Sequence, residues 1–225
     1  MEPLEAGKSC AHSGDLDSAI RHFTEAIRLA PTDPRAYDYR GCAYAKMGIL
    51  DKAIGDFSEA IRLNPGDAYP YCGRGFAYDK AGRLSEAIAD FTDAIRLNPT
   101  DARAYGRRGC AYAKTGVLDR AIGDFSEAIR LNARDAYAYC SRGLAYDEAG
   151  RLSDAIADFT EAIRLNPTDA RAYFCLGKSC LRSGDLDSAI RQFTEAIRFA
   201  PMNSRSYDYR GCAYTKMGIL DKAIG

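Results

Sequence analysis

Apolar residues along this chain follow two nested periods. In residues 51–64 they fall at Ala53, Ile54, Phe57, Ala60, Ile61 and Leu63, a spacing of three and four that gathers side chains on one face of an α-helix. The whole stretch then returns every 34 residues. Phenylalanine stands at 23, 57, 91, 125, 159 and 193, alanine at 26, 60, 94, 128, 162 and 196, and tyrosine at 37, 71, 105, 139, 173 and 207. A more polar stretch, PRAYDYRGCAYAKM at 34–47, precedes each apolar one and carries the glycine that recurs at 7, 41, 75, 109, 143, 177 and 211. The chain is one supersecondary unit copied about six and a half times, the mark of a stacked-repeat protein.

The boundaries of each unit are written in capping residues. Asp33 precedes Pro34, and the same slot holds Asp67, Asp101, Asp135, Asp169 and Asn203; a side-chain oxygen there accepts from orphan amides, and Pro suits the first helical position. Gly48 closes this first helix, matched by Gly14, Gly82, Gly116, Gly150, Gly184 and Gly218, as a left-handed residue beyond a helix end requires. The second helix is predicted to start at Asp51, in a slot that otherwise holds Asp17, Ser85, Asp119, Ser153, Asp187 and Asp221, and Asn64-Pro65 stops it. Two helices joined by so short a turn lie antiparallel. Gly41, Ala53 and Ala60 allow close approach, with Tyr37, Tyr44 and Phe57 filling the space around them. Glu59/Arg62 and their repeats form i,i+3 pairs on an outward, solvated face.

Composition narrows the function. Lys plus Arg and Asp plus Glu are each 31, so the formal charge is zero, whereas nucleic-acid binders carry a basic excess. No apolar run is long enough to span a membrane, and MEPLEAGKSC lacks the regions of a signal peptide. The expected setting is the cytoplasm. Of the eight cysteines, Cys42 and Cys110 share one repeat position, Cys72 and Cys140 a second and Cys10 and Cys180 a third, without a CxxC pair, which argues for copied helix residues over a metal site. Cys42 and Cys72 fall where a shared face would bring them near each other. His12 and His22 are the only histidines, and no phosphate loop, HExxH helix or nucleophile elbow appears. No enzyme, cofactor or metal is expected.

An aromatic at the fourth place, Gly at the eighth, Tyr at the eleventh, Ala at the twentieth, Phe at the twenty-fourth, Ala at the twenty-seventh and Pro at the thirty-second, here Tyr37, Gly41, Tyr44, Ala53, Phe57, Ala60 and Pro65, resemble the tetratricopeptide repeat. The resemblance covers nearly all of 1–225 and implies an all-α, right-handed α-α superhelix (a solenoid) in a single array. Its repeats are 1–33 (partial), 34–67, 68–101, 102–135, 136–169, 170–203 and 204–225 (truncated). The seventh stops at Gly225, leaving Tyr207, Tyr214 and Ile224 poorly covered.

The resemblance further implies that first helices line a concave face and take a peptide ligand from the second, fifth, sixth, ninth, twelfth and thirteenth places. Aromatic and Arg residues carry most binding energy at interfaces, which singles out Arg35, Tyr69, Phe76, Arg103, Arg107, Tyr137 and Arg171. Chaperone-tail binders of the family clamp a terminal carboxylate through Lys and Asn; the matching positions here hold Asp38, Cys42 and Gly73, and only Arg103 and Arg107 fit. An Asn ladder at the sixth place is likewise missing, because that place holds Tyr39, Gly73, Arg107, Ser141, Cys175 and Tyr209. The expected function is a non-catalytic scaffold holding an extended peptide or partner helix that is not a chaperone tail. The alternative is a structural spacer that self-associates through its repeat ends, with RNA binding a distant third.

Overall fold

A computed structural model describes residues 2–219. The described residues form thirteen α-helices and no strand. They are α1 (Pro3–Ser13) and α2 (Leu16–Leu29), α3 (Pro34–Lys46) and α4 (Leu50–Leu63), α5 (Ala68–Lys80) and α6 (Leu84–Leu97), α7 (Ala102–Lys114) and α8 (Leu118–Leu131). Then follow α9 (Ala136–Glu148) and α10 (Leu152–Leu165), α11 (Ala170–Ser183) and α12 (Leu186–Phe199), and α13 (Ser204–Met217). They fall into two compact units divided between Thr115 and Gly116.

The predicted punctuation is present at each site. The side chains of Asp33, Asp67, Asp101, Asp135, Asp169 and Asn203 accept from backbone amides at the heads of α3, α5, α7, α9, α11 and α13. The seven terminating glycines all have φ between 76° and 87°, backbone that a Cβ disfavours. The second helices begin one residue earlier than predicted. α4 starts at Leu50, so Asp51 lies inside its first turn, where a carboxylate still meets the positive end of the helix dipole. Asp15 and Asp185, not anticipated as caps, bind the amides of Ser18 and Ser188 at 3.0 Å. Asp221 and Ile224 lie outside the described residues.

In each unit consecutive helices pack against one another across connections of two to four residues. Within each unit the odd-numbered helices also touch the next odd-numbered helix, while among the described residues the even-numbered helices of that unit do not touch one another. The odd helices therefore form the inner layer and the even helices the outer. Between the layers sits the core: Phe23, Phe57 and Phe91 in the first unit and Phe125, Phe159 and Phe193 in the second, all fully buried, with alanines such as Ala53, Ala60, Ala155 and Ala189 around them. Glycine at the eighth place lets the rings in; a Cβ at Gly41 would stand 3.0 Å from the Phe57 ring, and one at Gly143 2.8 Å from Phe159. Tyr37 and Tyr44 are half-buried, with the Arg40 guanidinium 5.9 Å from each ring centroid. The outward i,i+3 pairs form as expected, Arg62 to Glu59 at 2.6 Å among them.

Candidate functional site

In the first unit three inner helices each turn one face toward a common cavity of about 340 Å³. From α3 come Asp38, Cys42 and Lys46, spaced by four; from α5 come Tyr69, Cys72, Gly73 and Phe76; from α7 come Arg103 and Arg107. Residues three and four apart share a helix face, so the repeat itself aligns them. Phe57 forms the floor and Asp101 part of the rim.

The cavity exists because of Gly73. In two other repeats a ring at the sixth place covers the phenylalanine of the repeat before. Tyr39 stacks on Phe23 with centroids 5.7 Å apart, and Tyr209 lies 5.8 Å from Phe193. Gly73 has no side chain, and the Phe57 ring leans toward it, so that a Cβ there would meet the ring at 2.5 Å. The space that a phenol fills elsewhere is left open.

Around this floor the charges are distinct. Arg107 lies 4.5 Å over the Phe76 ring and Lys80 5.5 Å from it, both in cation–π range. Arg103 Nε rests on Asp101 Oδ1 at 3.2 Å, the same oxygen that caps α7. Burial, with the Asp67 carboxylate second, pushes the Asp38 carboxyl up to about 6. Burial also pushes the thiols of Cys42 and Cys72 up, to about 12 and about 11. Both are therefore neutral at physiological pH and poor nucleophiles. They share the cavity, as their repeat places suggested, and both are free thiols.

Four of the seven sequence-selected residues, Tyr69, Phe76, Arg103 and Arg107, thus meet in one place. Tyr69 is 64% exposed, a large ring open to solvent. Arg35 stands in an adjoining cavity of about 270 Å³ that shares Asp38 and Tyr69, but its guanidinium folds back on the capping carboxylate of Asp33 at 2.7 Å. That contact holds Asp33 below the usual carboxylate range. Tyr137 and Arg171 belong to the second unit, on α9 and α11, and both are exposed. There the fifth place is filled: Phe174, on the helix face expected to meet ligand, is buried against Phe193 and Tyr209. Asp38, Gly73 and Asp101 were missed as site residues, although Asp38 and Gly73 occupy the fifth and sixth places.

Among the described residues no group of His, Cys, Asp and Glu could hold a metal ion, and no helix is long and apolar enough to cross a membrane.

Comparison with known proteins agrees with this architecture. Tetratricopeptide repeat models match residues 34–67, 68–101, 102–135 and 140–204, and a TPR repeat model matches 7–48. The chain belongs to the tetratricopeptide repeat family, an all-α repeat class of protein-interaction scaffolds. Among solved structures, YrrB, a TPR protein with an unusual peptide-binding site, superposes with a TM-score of 0.70 at 22% identity, over 82% of this chain and 95% of that one. MamA superposes at 0.68 and 28% identity, over 73% of this chain and 96% of that one. A tetratricopeptide repeat protein from Parabacteroides merdae ATCC 43184 reaches 0.76 at 20% identity, over 99% of this chain and 88% of that one.

Proposed function

We propose that this chain is a non-catalytic scaffold of the cytoplasm, a single array that holds an extended peptide or partner helix against its first helices. The observation that carries this reading is the open cavity above Phe57, where Tyr69 and Phe76 offer apolar surface beside Arg103 and Arg107. Aromatic and Arg groups of this kind are the residue types that dominate interface energetics. Arg35 adds to this surface in the first unit, and Tyr137 and Arg171 are the exposed groups we assign to binding in the second. The ligand is not a chaperone carboxylate tail, because Asp38 and Cys42 stand where that clamp places Lys and Asn. The peptide-binding site named for YrrB is a precedent for this use of the fold.

The test is capture with wild-type bait of residues 1–225 beside a variant carrying Phe76→Ala, Arg103→Glu and Tyr137→Ala, first shown to keep its helical melting curve. A partner held by the wild type and lost from the variant is the expected result. Equal capture by both moves the interaction away from the first helices.

One observation favours a second reading, self-association through a repeat end. Tyr207 on α13 is 41% exposed, whereas Tyr37 and Tyr71 at the same repeat place are half-buried. Light scattering over a concentration series separates the two, since only end-to-end stacking predicts a mass that climbs with concentration.

A further inference from the structure

Helix α5 packs against α3 on one side and α7 on the other, while α3 and α7 do not touch. The cavity therefore crosses three repeats, and each flank carries both signs, with Lys46 also on the α3 side and Asp101 also on the α7 side. Asp38 stands on the α3 side, Tyr69, Gly73 and Phe76 in the middle, and Arg103 and Arg107 on the α7 side.

The two carboxylates of the cavity differ in kind. Asp101 is engaged, capping α7 and holding Arg103. Asp38 has neither a hydrogen bond nor an ion pair among the described residues; burial and the like charge of Asp67 both act against its charged form. Lys46 also lines the cavity, eight residues from Asp38 and toward the other end of α3. Arg107 has the Phe76 ring beneath it and no carboxylate partner among the described residues. Asp38 also lines the adjoining cavity, so it is reachable from two sides. A half-buried charge without a partner is unfavourable, and a ligand that supplies the countercharge relieves that penalty. A purely acidic ligand would place like charge beside Asp38, an arrangement that selects against it.

Resting on the groove reading above, we infer that the segment bound here is dipolar: a Lys or Arg side chain pairs with Asp38, an apolar side chain settles over Gly73 between Tyr69 and Phe76, and an Asp or Glu pairs with Arg107. The order of charges along the ligand, basic then apolar then acidic across α3, α5 and α7, is the specificity of the site. It separates this groove from one that merely attracts acidic peptides.

The experiment is selection of a random nonapeptide library displayed on phage against the full chain and against Asp38→Asn, Arg107→Gln and Phe76→Ala, each checked for an unchanged helical melting curve. Wild-type selection should return peptides with a basic and an acidic residue on opposite sides of an apolar one. The Asp38→Asn pool should lose the basic residue and keep the acidic one, and Arg107→Gln should do the reverse. For a synthetic copy of a selected peptide, replacing its basic residue by Gln should weaken binding to the wild type by at least about tenfold, and to Asp38→Asn hardly at all, as expected for a desolvated charge pair. Peptides that depend on Phe76 but carry no preferred basic residue would overturn the dipolar specificity and leave the groove reading standing. Failure to select any peptide that depends on Phe76 would overturn both.

Discussion

Arg74 of α5 grips Asp90 of α6 with two parallel bonds, Nε to Oδ2 and Nη2 to Oδ1 at 2.8 Å each, while its Nη1 donates at 3.0 Å to Ser58 Oγ on the repeat before. One side chain thus ties an inner helix to its own outer helix and to the preceding one. Arg40 does the same with Asp56 and Thr24, and Arg142 with Asp158 and Ser126. The carboxylates are nearly buried, and the arginines about four-fifths so. Bidentate pairing of this kind fixes angle as well as distance. The two places change together: where the arginine place holds Ala6 or Leu176, the aspartate place holds His22 or Gln192.

Removing one partner should therefore hurt more than removing both. Asp90→Ala leaves the Arg74 guanidinium uncompensated between helices and should destabilise the protein by about 3 kcal/mol. The double variant Arg74→Leu with Asp90→Gln copies the pair found at Leu176 and Gln192 and should recover most of that loss. Urea denaturation of the single and double variants measures both. A double variant as unstable as Asp90→Ala would mean that the Ser58 tie, and not the charge, dominates.

This knot was not visible to periodicity. Its residues recur in register, but sixteen positions separate Arg74 from Asp90, and no helix-face spacing connects them; only the joint replacement of both in two repeats hints at contact. Features set by one helix were legible. Asp67 could be read as a cap and Gly82 as a terminator because each acts within a few residues of itself. The site was legible to the same depth. Repeat place says which side chains face inward, and so gathered Tyr69, Phe76, Arg103 and Arg107. It does not say whether a place is filled, which depends on the neighbouring repeat: Gly73 opens a cavity over Phe57, while Phe174 closes the same layer over Phe193.

Asp38 should make stability depend on pH. Its folded-state carboxyl titrates at about 6, against an ordinary value of 3.8, so the native state holds its proton more tightly than the unfolded chain. That contribution is fully present below about pH 4 and is lost as pH rises through about 6. Two units correspond to on the order of 2–3 kcal/mol. Asp38→Asn, neutral at every pH, should raise the melting temperature at pH 7.5 and have little effect at pH 4. A gain of equal size at both pH values would show that the carboxylate is not desolvated. The same substitution is expected to weaken binding of a cation-bearing peptide, so stability and recognition move in opposite directions.

Glycines within helices should respond according to what faces them. A Cβ at Gly75 would lie 2.9 Å from the Phe91 ring, whereas nothing lies within 4 Å at Gly55 in the exposed face of α4. Gly75→Ala should destabilise by about 1–3 kcal/mol through overpacking. Gly55→Ala should stabilise by about 0.5–1 kcal/mol, because alanine loses less backbone freedom in a helix. Thermal melts of the two variants are the check, and opposite signs are the expected outcome.

The cavity itself can be closed with a residue the chain already uses. Gly73→Tyr places at the sixth position the side chain that Tyr39 supplies over Phe23 and Tyr209 over Phe193. Phe57 must retreat, since it stands 2.5 Å from the new Cβ, and the repacking should cost no more than about 1–3 kcal/mol. With the ring in place the space of about 340 Å³ is filled, and the apolar contact between Tyr69 and Phe76 is blocked while Asp38, Arg103 and Arg107 all remain. A peptide that binds the wild type through this groove should lose at least about tenfold in affinity, the scale of a displaced apolar anchor, while Gly55→Ala, on the outer layer, leaves it unchanged. Fluorescence anisotropy with a labelled peptide measures both. Retained affinity in Gly73→Tyr would mean that the charges alone hold the ligand and that the open floor above Phe57 takes no part in recognition.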